Sequence, residues 1–83
     1  MPVFSVIIPL FNKEKFIDAT LKSVLKQSFT DFEILIVNDG STDNSEKIIA
    51  VFKDPRIRYF TKINAGASSA RNYGIEKAQS NYI

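Results

Sequence analysis

Apolar residues follow two rhythms along this chain. From Phe4 to Pro9, "FSVIIP", they stand on nearly successive positions and are largely β-branched, as in a strand covered on both faces of a parallel sheet. From about Lys13 to Gln27 the spacing becomes helical. Phe16, Ile17, Leu21, Val24 and Leu25 share one face, Lys15, Asp18, Lys22 and Lys26 take the wet one, and Asn12 stands where a cap is expected. After a short "SFTDF" connection the first rhythm returns in Glu33 to Asn38. The second returns in "DNSEKIIAVFK", with Ile48, Ile49 and Phe52 at helical spacing, Asp43 and Glu46 set as a capping box, and Asp54-Pro55 as the stop. A third strand, Ile57 to Thr61, a third helix from about Ala67 to Gln79, and "NYI" opening a fourth strand complete the pattern βαβαβαβ.

The stretch "ILIVNDGSTD" contains Asn-Asp-Gly, a context typical of tight hairpins. A helical pattern follows it, however, so the unit reads as strand, loop, helix. The expected fold class is therefore α/β: a parallel sheet between helical layers, a three-layer α/β/α arrangement of Rossmann-like type. Right-handed crossovers would bring the loops after Pro9, Asn38 and Thr61 to the carboxyl edge of the sheet, where ligands of open α/β sheets settle.

Composition narrows the chemistry. Eighty-three residues with 45% hydrophobic and 24% charged positions suit one small soluble domain. Lys and Arg outnumber Asp and Glu by only 11 to 9, too small and too scattered an excess for nucleic-acid binding. Cysteine and histidine are absent, which excludes disulfides, thiolate metal sites and the commonest general base, so acid or base work would fall to carboxylates. The most apolar run, Val3 to Phe11, is far shorter than the roughly 20 residues of a membrane span and lacks a basic leader, so the cytoplasm is the expected compartment.

Each edge loop carries one candidate. "PLFN" offers Phe11, either a platform for a base or an ordinary core residue. The second loop offers Asp39, an acceptor suited to the N–H edge of a pyrimidine or to ribose hydroxyls, or else a turn aspartate, followed by Gly40, which permits close backbone approach. Asp43 is explained by helix capping. In "KINAGASSARN", Gly66 and small neighbours allow a ligand near a helix N-terminus. Arg71 follows, expected on one tightly packed face with Ala67, Gly74 and Ala78 and pinned there to fork onto phosphate or a carbonyl edge; the other reading is a surface cation. Neither G-x-G-x-x-G nor G-x-x-x-x-G-K-[ST] occurs, which argues against dinucleotide oxidoreductases and P-loop NTPases.

Taken together, "FSVIIPLFN", "LKSVLKQSFTDFEILIVNDGSTDNS" and "NAGASSARNYGIEKAQSNYI" closely resemble the start of glycosyltransferase family 2, inverting enzymes with the GT-A fold. The resemblance implies a nucleotide-sugar donor, usually a UDP-sugar, whose sugar passes with inversion to an acceptor hydroxyl, as in polysaccharide assembly. It places Pro9 and Phe11 beside the base, Asp39 on the uracil imide and Arg71 on the nucleotide, with Asn64 and Gly66 shaping the third loop. Phe11 replaces a frequent Tyr, Leu10 a frequent Thr and Asn38 a frequent Asp, and Ser80-Asn81 departs from the usual Gly and acidic pair.

The resemblance also implies a divalent metal, Mg or Mn, held by a D-x-D beyond the fourth strand, and a catalytic base further on. No D-x-D occurs here, and Asp31-Phe32-Glu33 reads as turn chemistry. Residues 1–83 are thus expected to form the nucleotide-sugar-binding part of a longer enzyme, inactive alone, whose parent works in the cytoplasm or at the cytoplasmic face of a membrane. The acceptor, a glycan or a lipid-linked saccharide, is not readable from these residues. Two rivals have different chemistry. A phosphoacceptor module would need an acidic cluster after the first strand and an acceptor Asp after the third, and "PLFN" and "KINAG" supply neither. A non-catalytic interaction module would form a homo-oligomer through an exposed sheet edge.

Overall fold

The computed structural model describes residues 2–27 and 31–80. Its elements alternate as β1 (Phe4–Leu10), α1 (Ile17–Leu25), β2 (Phe32–Asp39), α2 (Ser45–Ala50), β3 (Ile57–Lys62) and α3 (Ala67–Lys77). All three strands are parallel, in the order β1-β2-β3, with Leu10 opposite Asn38 and Asp39 opposite Lys62. The fourth strand expected at "NYI" lies outside the described residues, as does part of the "SFTDF" connection. Among the described residues no helix is long and apolar enough to cross a membrane.

β2 is the spine of the molecule. It is buried at every position from Phe32 to Asp39, as its unbroken apolar run requires of a central parallel strand. Its alternate side chains serve two cores. Ile34 and Ile36 point with Val6, Ile8 and Leu10 into a cluster closed by Ile17 and Leu21 of α1 and Ile49 of α2. Each such side chain contributes roughly 1.5 to 3 kcal/mol by leaving water. On the other face, Val37 and Ile7 meet Gly74 of α3: a Cβ built on Gly74 would lie 2.6 Å from Ile7 Cγ2 and 3.4 Å from Val37 Cγ2. Three layers result, with α1 and α2 together on one side and α3 alone on the other. A chain stepping from β1 to β2 to β3 through right-handed crossovers keeps α1 and α2 on one face. α3 lies back over β1 and β2 on the opposite face, so the carboxyl ends of the strands stand between its head and the first loop.

Several local expectations are corrected. Asn12 does not cap α1, which starts at Ile17 after a turn in which Phe16 and Ile17 both donate to the Lys13 carbonyl at 2.9 Å. Asn12 itself takes a left-handed φ of 49°, and its side chain serves the β2–α2 loop instead. Phe16, expected on the apolar face, is exposed. α2 is short. Asp43 accepts the Ser45 amide at 3.0 Å, but the box is not closed, because Glu46 turns away to accept the Tyr59 hydroxyl. Pro9 does not end β1, which runs one residue further, and α3 stops at Lys77, before an extended Ala78.

Glu33 is not turn chemistry. It is buried within β2, at the amino edge of the sheet, where its carboxylate accepts the Ser5 hydroxyl and the Gln79 amide, both at 2.6 Å, and the Arg58 guanidinium at 2.9 Å. Arg58 also donates to the Lys77 carbonyl at 2.8 Å, so this group ties the end of α3 to the sheet. Burial by itself would push the Glu33 carboxyl up, but Ser5, Gln79 and Arg58 outweigh it and hold the carboxyl below its ordinary value.

Candidate functional site

At the carboxyl edge the three β–α junctions converge on a cleft of about 410 Å³ lined by Pro9, Leu10, Phe11, Lys13, Asp39, Asn64, Gly66 and Ala67. Four of the five residues singled out from the sequence therefore meet: Pro9, Phe11, Asp39 and Gly66. Phe11 is 45% exposed, which removes it from the core and leaves its ring at the cleft. Arg71 is not among the lining residues. It is exposed, and its guanidinium makes no hydrogen bond or ion pair with another described residue, contrary to the expectation of a pinned guanidinium. The reason is helical phase: Ala70 and Gly74, four apart, form the face that the sheet buries, and Arg71, one residue on from Ala70, stays in solvent one turn beyond Ala67 at the cleft border.

Asp39 organises the site. Its side chain is almost fully buried, and the third loop is drawn around it: Oδ1 accepts Lys62 Nζ at 3.0 Å and the Ala65 amide at 3.0 Å, while Oδ2 accepts the Gly66 amide at 2.9 Å. Asn64 Nδ2 donates to the Asp39 main-chain carbonyl at 2.9 Å. The carboxyl is held below the ordinary aspartate value, chiefly by the Lys62 ammonium, with burial opposing and the Ala65 and Gly66 amides assisting. Asp39 is thus a charged acceptor at the cleft floor at all physiological pH values.

Two glycines permit this closure. Gly40 has φ 74°, and a Cβ there would lie 3.0 Å from both the Cβ and the amide nitrogen of Asn64, so a larger residue would be strained and would push the third loop back by a few tenths of an ångström. Gly66 has φ 97° at the head of α3. Nothing lies within 4 Å of where its Cβ would be, which leaves open space beside the helix start.

The first and second loops are also joined, by bonds that motif reading did not anticipate. The Asn12 amide donates to Ser41 Oγ at 3.0 Å, the Lys13 amide to Ser45 Oγ at 3.2 Å and the Glu14 amide to Asp43 Oδ2 at 3.1 Å. In return, the Thr42 amide donates to Asn12 Oδ1 at 2.8 Å. Lys13 and Lys62 were missed as site residues. The sole signal for Lys62 was its position one residue past an expected strand end, and Lys13 was absorbed into a helix that starts later.

The divalent cation implied by the resemblance has no seat here. Among the described residues no three His, Cys, Asp or Glu side chains converge to hold a metal ion, and Asp39, the one carboxylate lining the cleft, already engages a lysine and two amides.

Comparison with known proteins converges on one family. The family described as Glycosyl transferase family 2 matches residues 5–83. An uncharacterized glycosyltransferase of Haemophilus influenzae is 43% identical over 86 residues, covering 100% of this chain and 34% of the relative. The uncharacterized glycosyltransferase EpsJ of Bacillus subtilis is 44% identical over 85 residues, covering 100% of this chain and 25% of its own. The chain thus spans about a quarter to a third of the length of these relatives. Among solved structures, S. aureus TarS 1-349 superposes with a TM-score of 0.87 at 30% identity over 98% of this chain and 26% of that one. TarS solved in complex with UDP superposes at 0.78 with 29% identity, over the same shares of the two chains.

Proposed function

Since the chain belongs to glycosyl transferase family 2 and has its GT-A fold, we propose that it forms the nucleotide-binding part of a glycosyltransferase that uses a nucleotide-sugar donor, a UDP-sugar, and transfers the sugar to an acceptor hydroxyl with inversion. The observation that carries this reading is the convergence of an exposed ring, Phe11, and a buried charged acceptor, Asp39, on one cleft at the carboxyl edge of a parallel sheet. That TarS, 29% identical over nearly all of this chain, is solved in complex with UDP supports it.

The chemistry follows from the groups. A flat aromatic face at the strand end suits stacking with a base, and Phe11 keeps that capacity without a hydroxyl. A carboxylate accepts and does not donate, so Asp39 favours a base edge that presents N–H, as the uracil imide does, and disfavours one that presents a ring nitrogen acceptor. Oδ2 takes the Gly66 amide at 2.9 Å and Asn64 Nδ2 only at 3.4 Å, a long bond that a base N–H would displace. The diphosphate would lie toward the open side of Gly66 and the exposed ammonium of Lys13, with Arg71 able to swing in from the next turn of α3. In an inverting transfer the acceptor oxygen attacks the anomeric carbon from the face opposite the diphosphate, the bond to the diphosphate breaks as the new C–O bond forms, and the acceptor proton passes to a base. The residues here bind and orient the donor. The base and the counter-charge of the departing diphosphate are assigned to other parts of a longer enzyme working in the cytoplasm.

Isothermal titration of the chain with UDP, GDP and ADP tests the reading. UDP is expected to bind, and ADP to bind at least tenfold more weakly. Equal affinity for all three, or none for UDP, would overturn it.

A further inference from the structure

The motif "NDGSTD" is only partly used by the donor site: Asp39 lies at the cleft floor and Gly40 admits the third loop, but Ser41, Thr42 and Asp43 do not line the cleft. Their side chains and amides reach the first loop instead. We propose that Asn12 is a positioning residue, which sets Phe11 at the cleft by turning the chain through left-handed backbone and clasping Ser41 and Thr42. This rests on the donor reading above and adds the part of the fold that holds its aromatic platform.

Three observations carry the proposal. Phe11 is 45% exposed, so packing against the core does not fix its ring; the direction of its backbone must. The next residue, Asn12, has φ 49°, a conformation that among L residues Asn tolerates best, and this kink turns the chain out of β1 immediately after Phe11. The kink is held from both sides by one neighbour segment: the Asn12 amide donates to Ser41 Oγ at 3.0 Å, and Asn12 Oδ1 accepts the Thr42 amide at 2.8 Å. The Lys13 and Glu14 amides extend the clasp to Ser45, which is fully buried, and to Asp43. Three consecutive amides of the first loop thus end on side chains of the second loop and of the first residue of α2. Because the second loop also begins at Asp39, the platform and the acceptor are referred to the same short segment, and their separation is held by bonds outside the cleft.

The test is a double-mutant cycle read by UDP affinity. Asn12→Gly keeps the left-handed backbone accessible but removes Oδ1, and Ser41→Ala removes the opposite partner without touching the kink. Each is expected to weaken UDP binding about five- to tenfold, the scale of one lost hydrogen bond in a positioned site, while circular dichroism at the titration temperature remains that of the folded chain. Phe11→Ala should weaken it as well. In the Phe11→Ala background, Asn12→Gly should add less than twofold, because its effect passes through the ring. A purely structural role predicts the opposite, with effects that multiply. If the unaltered chain binds UDP and either Asn12→Gly binds equally well or its effect multiplies with that of Phe11→Ala, this inference falls and the donor reading stands. If the unaltered chain does not bind UDP, both fall.

Discussion

Oδ2 of Asp39 accepts the Gly66 amide at 2.9 Å across 27 residues of sequence, so the tip of β2 holds the head of α3. The same carboxylate binds Lys62 and the Ala65 amide, which makes Asp39 a fastener of the third loop before it meets any ligand. Asp39→Ala should therefore have two effects. UDP affinity should drop about tenfold or more, as expected when a charged acceptor is lost. Amide hydrogen exchange at Ala65 and Gly66 should accelerate in the absence of nucleotide. A variant that binds UDP as tightly as the parent chain, measured by calorimetry, would remove Asp39 from the site.

Gly74 is a packing residue, and the prediction for it concerns stability alone. Its missing Cβ would sit 2.6 Å from Ile7 Cγ2, and a β-branched side chain cannot swing aside without changing rotamer. Gly74→Ala should cost about 1 to 3 kcal/mol by overpacking, despite the higher helix propensity of alanine. Ile7→Ala introduced alongside should recover part of that loss, because the added methyl then fills the space vacated. Thermal melts of the two singles and the double decide it: strictly additive losses would show that α3 does not approach β1 as closely as described.

Acid should unfold the chain through Glu33 and Asp39. Both carboxyls are held below their ordinary values of 4.5 and 3.8, Glu33 by Ser5, Gln79 and Arg58 against the opposing effect of burial, and Asp39 chiefly by Lys62. A carboxyl depressed in the folded state contributes stability that is fully present above its unfolded value and lost as pH falls through that value toward the folded one. Urea melts in a pH series should therefore show a midpoint that is steady near neutrality and declines below about 4.5. Glu33→Gln should lower stability at neutrality and flatten the upper part of that decline, leaving Asp39, Asp43 and Asp54, also depressed, to supply the rest. An unchanged acid slope in Glu33→Gln would contradict the assignment.

Asn38 tests how a buried polar site accommodates the aspartate that the family often carries there. Its Nδ2 donates to the Tyr59 hydroxyl at 2.7 Å and its Oδ1 accepts the Ser41 amide at 2.9 Å. The phenol can turn its proton from the exposed Glu46 carboxylate, 3.3 Å away, to a carboxylate at position 38, so Asn38→Asp should change stability by no more than about 1 kcal/mol. Asn38→Leu leaves the Ser41 amide without its partner and the Tyr59 hydroxyl with Glu46 alone, and should cost about 1 to 3 kcal/mol. Equal destabilisation by the two substitutions would show that Tyr59 is not free to turn.

Hydrophobic spacing by itself determined the three strands, the three helices, their alternation and the parallel three-layer sheet, because burial on both faces leaves an unbroken apolar run and burial on one face leaves a stripe. It also placed Pro9, Phe11, Asp39 and Gly66 at loops that share one edge, a consequence of topology that needs no side-chain coordinates. Tertiary structure decided the rest. Whether Asn12 caps a helix or kinks a loop depends on Ser41 and Thr42, some thirty residues away, since its amide and side chain take whichever partner the fold presents. The outward turn of Arg71 depends on which of two overlapping small-residue faces of α3 meets Ile7 and Val37, a choice of helical phase that spacing alone leaves open. Glu33 looked like a turn residue because nothing local marks a buried carboxylate; Ser5, Arg58 and Gln79, which make it tolerable there, come from three other segments of the chain. Local pattern reports how much of a segment is buried, and only the assembled fold determines against what.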